Sequence, residues 1–222
     1  MENNAAMQKT AARGNSGVGQ MLKEAAIRFV ITLVSGIMLG YVYELTKEPI
    51  RVQQEKAVRE ACMAVFPGAE QTGISFRELE YVPGEKLSAQ LAENGITIGT
   101  VYEAVGQDGS LCGYVVESAS SQGYGGKIVL YTGVDTDGRV GGISILTISE
   151  TAGLGMEAPN VLVPQFAGRQ ANKFTYTKSG SQSESEVDAI SGATITTKAV
   201  VNAVNGGIAA AGELLQGGGQ NE

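Results

Sequence analysis

The apolar residues of this chain change rhythm as it runs. No charged residue occurs between Phe29 and Tyr43, and Ala25, Ala26, Ile27 and Leu45 extend the apolar run. That makes about 20 residues, the length a helix needs to cross a bilayer, with Arg28 close enough to one end to snorkel. Upstream, residues 1–24 are polar, small and aperiodic and predict a disordered tail. After Pro49, Val58, Cys62 and Val65 fall at helical spacing until Pro67-Gly68, so a second helical stretch is expected over Val52 to Phe66. A polar, weakly patterned stretch follows, up to Gly99. The rhythm then changes to short strand-forming runs: Val101 to Val105 and Leu111 to Glu117 flank Asp108-Gly109, and Ile128 to Val134 and Val140 to Leu146 flank Asp137-Gly138. Two hairpins are predicted, because glycine supplies the positive φ such turns require. Lys173 to Lys178 predicts one more strand. Lys198 to Leu215 predicts a terminal helix with Val200, Val204 and Ile208 on one stripe and Gly206-Gly207 as a weak point.

These patterns give an α+β chain: one N-terminal transmembrane helix, then one domain with a twisted, mostly antiparallel sheet and flanking helices. The expected divisions are a tail at 1–24, an anchor at 25–45, a domain at 46–216 and a flexible tail at 217–222. Tyr41, Val42, Tyr43 and Glu44 follow Gly40 without a small-residue cleavage pattern, so the apolar run is expected to stay as an anchor. Lys9, Arg13, Lys23 and Arg28 precede it and only Lys47 and Arg51 closely follow, which predicts a cytoplasmic N-terminus and an extracytoplasmic domain.

Composition narrows the chemistry. A net charge of −7 and a pI of about 4.8 lack the basic footprint of a nucleic-acid binder. The chain of 222 residues has no histidine, which removes the usual haem and zinc ligand and the commonest general base. Its two cysteines, Cys62 and Cys112, are too few to ligate an iron–sulfur cluster within this chain alone and read as separate thiols. Asp135-Thr136-Asp137-Gly138 fails as a calcium loop, because Arg139 stands where the next oxygen ligand belongs. Redox work would need another bound cofactor.

The informative stretch is Asp188-Ala189-Ile190-Ser191-Gly192-Ala193-Thr194, just before the terminal helix. Small residues and hydroxyls there leave the first helical amides free to donate to a phosphate. The plain structural alternative is a helix cap made by Thr196 or Thr197. Upstream lie two glycine-rich segments, Gly123-Tyr124-Gly125-Gly126-Lys127 and Glu150-Thr151-Ala152-Gly153-Leu154-Gly155, with Gln165-Phe166-x-Gly168 after them.

Asp-x-x-Ser-Gly-Ala-Thr resembles the flavinylation motif of the FMN-binding domain family. Within it, the sequence looks most like the G subunit of Rnf-type electron transport complexes and the homologous C subunit of the sodium-translocating NADH:quinone reductase. The resemblance runs from about Phe29 to Leu215, including the Thr46-x-x-Pro49-Ile50 exit from the anchor. It implies FMN held covalently, through its phosphate, on Thr194, attached from FAD by a separate magnesium-dependent flavin transferase. Asp188 would serve transferase recognition, with Ser191, Gly192 and Ala193 completing the motif. The segment from Gly123 to Lys127, together with Glu150, Thr151, Gly153, Leu154 and Gly155, would help form the flavin pocket. Ala152 stands in place of the family's usual proline, and Ile148 in place of a histidine found in many relatives.

The function implied is an electron relay in a membrane-bound, ion-translocating ferredoxin:NAD oxidoreductase (Rnf), whose partners are the other membrane subunits and, during maturation, the transferase. No side-chain acid, base or nucleophile is required, since the flavin carries the electron chemistry. A stand-alone anchored FMN electron-transfer protein or flavin reductase serving a soluble partner shares the cofactor. A flavin-free binding module shares only the glycine-rich hairpins.

Overall fold

The computed structural model describes residues 3–217, so residues 1 and 2 and most of the expected C-terminal tail at 217–222 lie outside the described residues. The chain divides into two compact units, Met1–Glu55 and Lys56–Glu222. Helix α1, Asn3–Val65, starts well before the apolar run, includes most of the stretch expected as a tail and continues through Pro49. Among the described residues it is the one helix long and apolar enough to cross a membrane, and none of its apolar window is buried within the protein.

In the second unit, a short α2 (Ala69–Thr72) precedes strand β1 (Ser75–Leu79) and helix α3 (Glu85–Glu93). Strands β2 (Ile96–Val105), β3 (Leu111–Ser120), β4 (Ile128–Asp135) and β5 (Arg139–Thr147) follow. Next come a 3-10 turn (Gly155–Glu157), helices α4 (Ala158–Val161) and α5 (Val163–Phe166), and the short strand β6 (Arg169–Gln170). Strand β7 (Thr175–Thr177), strand β8 (Glu186–Asp188) and helix α6 (Thr194–Leu215) complete the chain. Strands β1 to β6 form one antiparallel sheet in sequence order, while β7 and β8 pair in parallel as a separate two-stranded sheet.

Both predicted hairpins form, at β2–β3 and β4–β5. In the second, Asp135 Oδ1 accepts from the amides of Asp137 (2.9 Å) and Arg139 (2.8 Å), so this carboxylate closes the turn. The strand expected over Lys173 to Lys178 shortens to β7. The polar stretch before Gly99, unassigned from its pattern, holds β1 and α3. Only Leu91 of α3 is fully buried, and edge strand β1 buries no residue completely, so neither gives a strong periodic signal.

The alternation of side chains across the sheet builds two cores. Val116, Leu130, Val134 and Ile143 face the cluster that includes α6, and Val115 and Tyr131 face the cluster formed with Ala61, Cys62 and Val65 at the end of α1. Burial pushes the Cys62 thiol up to about 12, so it stays protonated and unreactive at neutral pH. Cys112 is only half-buried.

Helix α6 crosses β3 and β4. Gly206 and Gly207, read from sequence as a weak point, are both buried, and a Cβ on Gly207 would stand 2.9 Å from Thr132 Oγ1. Side-chain absence there is what lets the helix sit on the sheet, a packing gain that outweighs low helix propensity. Beneath it, the hydroxyls of Ser118 and Thr132 are buried without a hydrogen-bond partner among the described residues. Burying an unpaired hydroxyl costs stability, so Thr132→Val, which keeps the shape, is expected to stabilise by about 1 kcal/mol and raise Tm by about 2–4 °C. Thermal unfolding followed by circular dichroism measures this; a lowered Tm would contradict it. The far end of α6 is tied down by Glu213, whose Oε2 accepts from the Tyr81 hydroxyl (2.5 Å) and the Gly84 amide (3.2 Å). Burial, and then Glu213, hold the Tyr81 phenol well above its usual range.

Candidate functional site

Four segments separated in sequence meet around a cavity of about 650 Å³, lined by Tyr124, Glu150, Thr151, Leu154, Gly155, Lys178 and the run from Ala189 to Thr196. That volume falls in the range, roughly 300–1,000 Å³, of small-molecule sites.

Glu150 joins three of them. Its Oε1 accepts from the Gly125 amide (3.2 Å) in the loop after β3, and its Oε2 accepts from the Thr196 hydroxyl (3.0 Å) in the first turn of α6. Close approach requires glycine here, since a Cβ on Gly155 would lie 2.6 Å from Thr196 Oγ1 and 2.7 Å from Glu150 Cβ. Gly192 adopts φ +76°, and a side chain there would be strained and would also press on Leu154.

Helix α6 starts at Thr194, four residues earlier than its apolar stripe predicts. Its N-cap is Ala193, with no side-chain cap, so neither Thr196 nor Thr197 takes the capping role weighed from sequence. Both hydroxyls are buried and engaged: Thr196 on Glu150, and Thr197 donating to the Ala193 carbonyl (3.0 Å) while accepting from the Ile190 amide (3.1 Å). Thr194 is half-buried, lines the cavity, and its hydroxyl has no hydrogen-bond partner among the described residues. Among those residues the amides of Thr194, Ile195 and Thr196 are likewise unpaired, as the first amides of an uncapped helix are. Together with the helix dipole they form an electropositive end that suits a phosphate. The Lys178 side chain adds a cation to the wall, and Tyr124, Leu154 and Ile195 supply exposed aromatic and apolar surface.

Of the residues singled out from sequence, Tyr124, Glu150, Thr151, Leu154, Gly155, Ser191, Gly192, Ala193 and Thr194 line this one cavity. Gly153 is not on the lining and sits in the adjoining turn with φ +72°. Asp188 is not on the lining either. Its Oδ1 accepts from the Ser181 amide (2.6 Å), so the carboxylate holds the serine-rich loop between β7 and β8. Lys178, Ala189, Ile190, Ile195 and Thr196 line the cavity without having been assigned to it from sequence. Ala189 and Ile190 lie inside the motif and were legible as neighbours, whereas Lys178 reaches the cavity only through the pairing of β7 with β8.

The donor set fits a flavin mononucleotide: a helix start with free amides for the phosphate, a free hydroxyl beside them, and mixed apolar and polar walls for the ring system. Comparison with known proteins points the same way. Residues 123–209 match the FMN-binding domain. The chain is 33% identical over 195 residues to the G subunit of the Na(+)-translocating ferredoxin:NAD(+) oxidoreductase complex of Acetobacterium woodii, covering 83% of this chain and 88% of that one. It is 31% identical over 176 residues to the G subunit of the proton-translocating ferredoxin:NAD(+) oxidoreductase complex of Clostridium ljungdahlii, covering 79% of this chain and 83% of that one. The fold is similar to the crystal structure of the C subunit of the Na(+)-translocating NADH-quinone reductase of Parabacteroides distasonis, with a TM-score of 0.52 and 21% identity over 76% of this chain and 94% of that one. The chain therefore belongs to the FMN-binding domain family, in the branch formed by the G subunits of the ion-translocating oxidoreductase complexes.

Proposed function

We propose that the chain is a membrane-anchored electron relay of an ion-translocating ferredoxin:NAD oxidoreductase complex, carrying FMN on Thr194 through a phosphoester. What carries this reading is the contrast among three threonines of one helix turn. Thr196 and Thr197 have buried, committed hydroxyls, while the Thr194 hydroxyl is unpaired at the cavity wall beside free helix amides. As acceptor, Thr194 Oγ forms a bond to the FMN phosphorus of FAD while the pyrophosphate bond breaks; AMP leaves and the hydroxyl proton passes to solvent or to the transferase. When bound, the isoalloxazine supplies electron transfer in one- and two-electron steps. This chain's residues would do the holding: the unpaired amides of Thr194, Ile195 and Thr196 would receive the phosphate, Glu150 keeps three of the wall segments together, and Gly192 and Ala193, beside Ser191, leave the backbone approachable. Thr151 and Leu154 belong to the same wall, with Gly153 and Gly155 shaping its turn. Asp188 acts in transferase recognition, which requires its bond to Ser181 to open.

Residues 25–45 form the anchor and 46–216 the FMN-binding domain, with the N-terminus cytoplasmic and the domain outside. The lysines and arginines before the apolar run support that orientation. Ferredoxin and NAD are expected to bind other subunits. Purification in mild detergent from a host that makes the whole complex tests the assignment. Stable association with multi-span membrane subunits is expected, whereas a flavin-loaded chain that elutes alone would favour a stand-alone anchored flavoprotein.

A further inference from the structure

The strands that lead into the Thr194 loop are very short, β7 and β8 having three residues each, and two side-chain amides do the work that longer strands would do. At the entry to β7, Asn205 of α6 binds both backbone groups of Phe174: Oδ1 accepts from the amide (2.7 Å) and Nδ2 donates to the carbonyl (2.9 Å). At the exit of β8, Gln165 of α5 binds both backbone groups of Asp188 in the same way, Oε1 accepting from the amide (2.7 Å) and Nε2 donating to the carbonyl (3.2 Å). The second N–H of Gln165 donates to the Val161 carbonyl (2.8 Å), so both donors are used and the amide orientation is fixed. Its neighbour Phe166 is fully buried and packs edge-to-face on Phe174 at 5.0 Å, which anchors the backbone that presents the glutamine. The cavity wall begins at Ala189, the residue after the clamped one.

We propose that Gln165 is a positioning residue for the flavin: by clamping Asp188 it sets where the loop Ala189–Ala193 and the Thr194 attachment point stand relative to the Glu150 side of the cavity. This rests on the attachment of FMN to Thr194 argued above. Gln165 touches neither the cavity nor the attachment atom. It acts through the backbone of Asp188, and a loose supporting contact displaces a site even when every lining residue is present. The Asn205 clamp is the natural comparison, because it has the same chemistry but holds the end of β7 remote from the loop.

The test uses the full chain coexpressed with a flavin transferase and purified in detergent, as parent, Gln165→Met and Asn205→Leu. Loading is read by mass, thermal stability by far-ultraviolet circular dichroism, and the flavin's surroundings by visible-region circular dichroism and fluorescence anisotropy. Both variants are expected to unfold at lower temperature, but only Gln165→Met should change the flavin signals of the folded, loaded protein, with the visible dichroism falling by about half. Should Gln165→Met not fold, Gln165→Asn, which keeps the amide but ends one methylene short, gives the same reading. Flavin signals identical to the parent in the Gln165 variant, or changed equally in Asn205→Leu, would overturn the inference. A parent that carries no flavin although the transferase is active would instead refute the attachment at Thr194.

Discussion

Thr194→Ala, coexpressed with an active flavin transferase, is expected to carry no flavin that survives denaturation, while Ser191→Ala keeps the modification. The substitution removes the one hydroxyl of the first helical turn that lines the cavity without a partner among the described residues. Thr196 and Thr197 do not substitute for it. Transfer to either would have to break its hydrogen bonds and bring a fully buried oxygen to the surface. Helix propensity does not fall, since alanine is the better helix former, so the variant should fold normally. Loss of flavin without loss of Tm is thus the expected signature, read by absorbance near the flavin bands after acid precipitation. Flavin retained on the precipitated variant would show that another residue is the attachment point.

Glu150 carries the second large effect. Its two carboxylate oxygens hold different elements, the loop bearing Gly125 and the start of α6 bearing Thr196. Glu150→Ala removes both bonds and leaves the buried Thr196 hydroxyl unpaired, so a loss of about 2 kcal/mol is expected, with a sharp drop in flavin loading. Glu150→Gln should be nearly neutral for stability. The glutamine oxygen still accepts from Gly125, and the Thr196 hydroxyl, which can also accept, reverses its role and accepts a hydrogen bond from the glutamine side-chain N–H. Denaturant unfolding measures the first difference and mass spectrometry the second. An alanine variant as stable and as fully loaded as the glutamine variant would mean that the cavity does not depend on this link.

How much of this was legible in the chain differs by feature. The two hairpins were, because Asp108-Gly109 and Asp137-Gly138 stand between alternating runs and turn chemistry is local. The terminal helix was readable from Val200, Val204 and Ile208, but not its first turn. Thr194, Ile195 and Thr196 have no apolar periodicity, and that turn is fixed by Glu150, which lies 46 positions away from Thr196. Gly206-Gly207 misled for a related reason: propensity counts the helix alone, whereas close approach to Thr132 decides the position in the folded protein. Both halves of the candidate cavity were named from their motifs, and the structure brings most of those residues together. Lys178 and Gln165 were not assigned roles, since one reaches the cavity and the other the loop through contacts between elements that no local spacing encodes. The clearest departure is Asp188. It belongs to the motif, yet its carboxylate turns to the Ser181 amide, so any recognition of it by a transferase has to compete with that bond.

Peptide mass spectrometry on the full chain, purified from a host with an active flavin transferase, reads the attachment of FMN to Thr194 itself. The peptide containing Thr194 is expected to gain the mass of FMN less one water, with fragment ions that place the addition on Thr194. An unmodified threonine in that peptide, with the transferase shown to modify another substrate in the same cells, would contradict it.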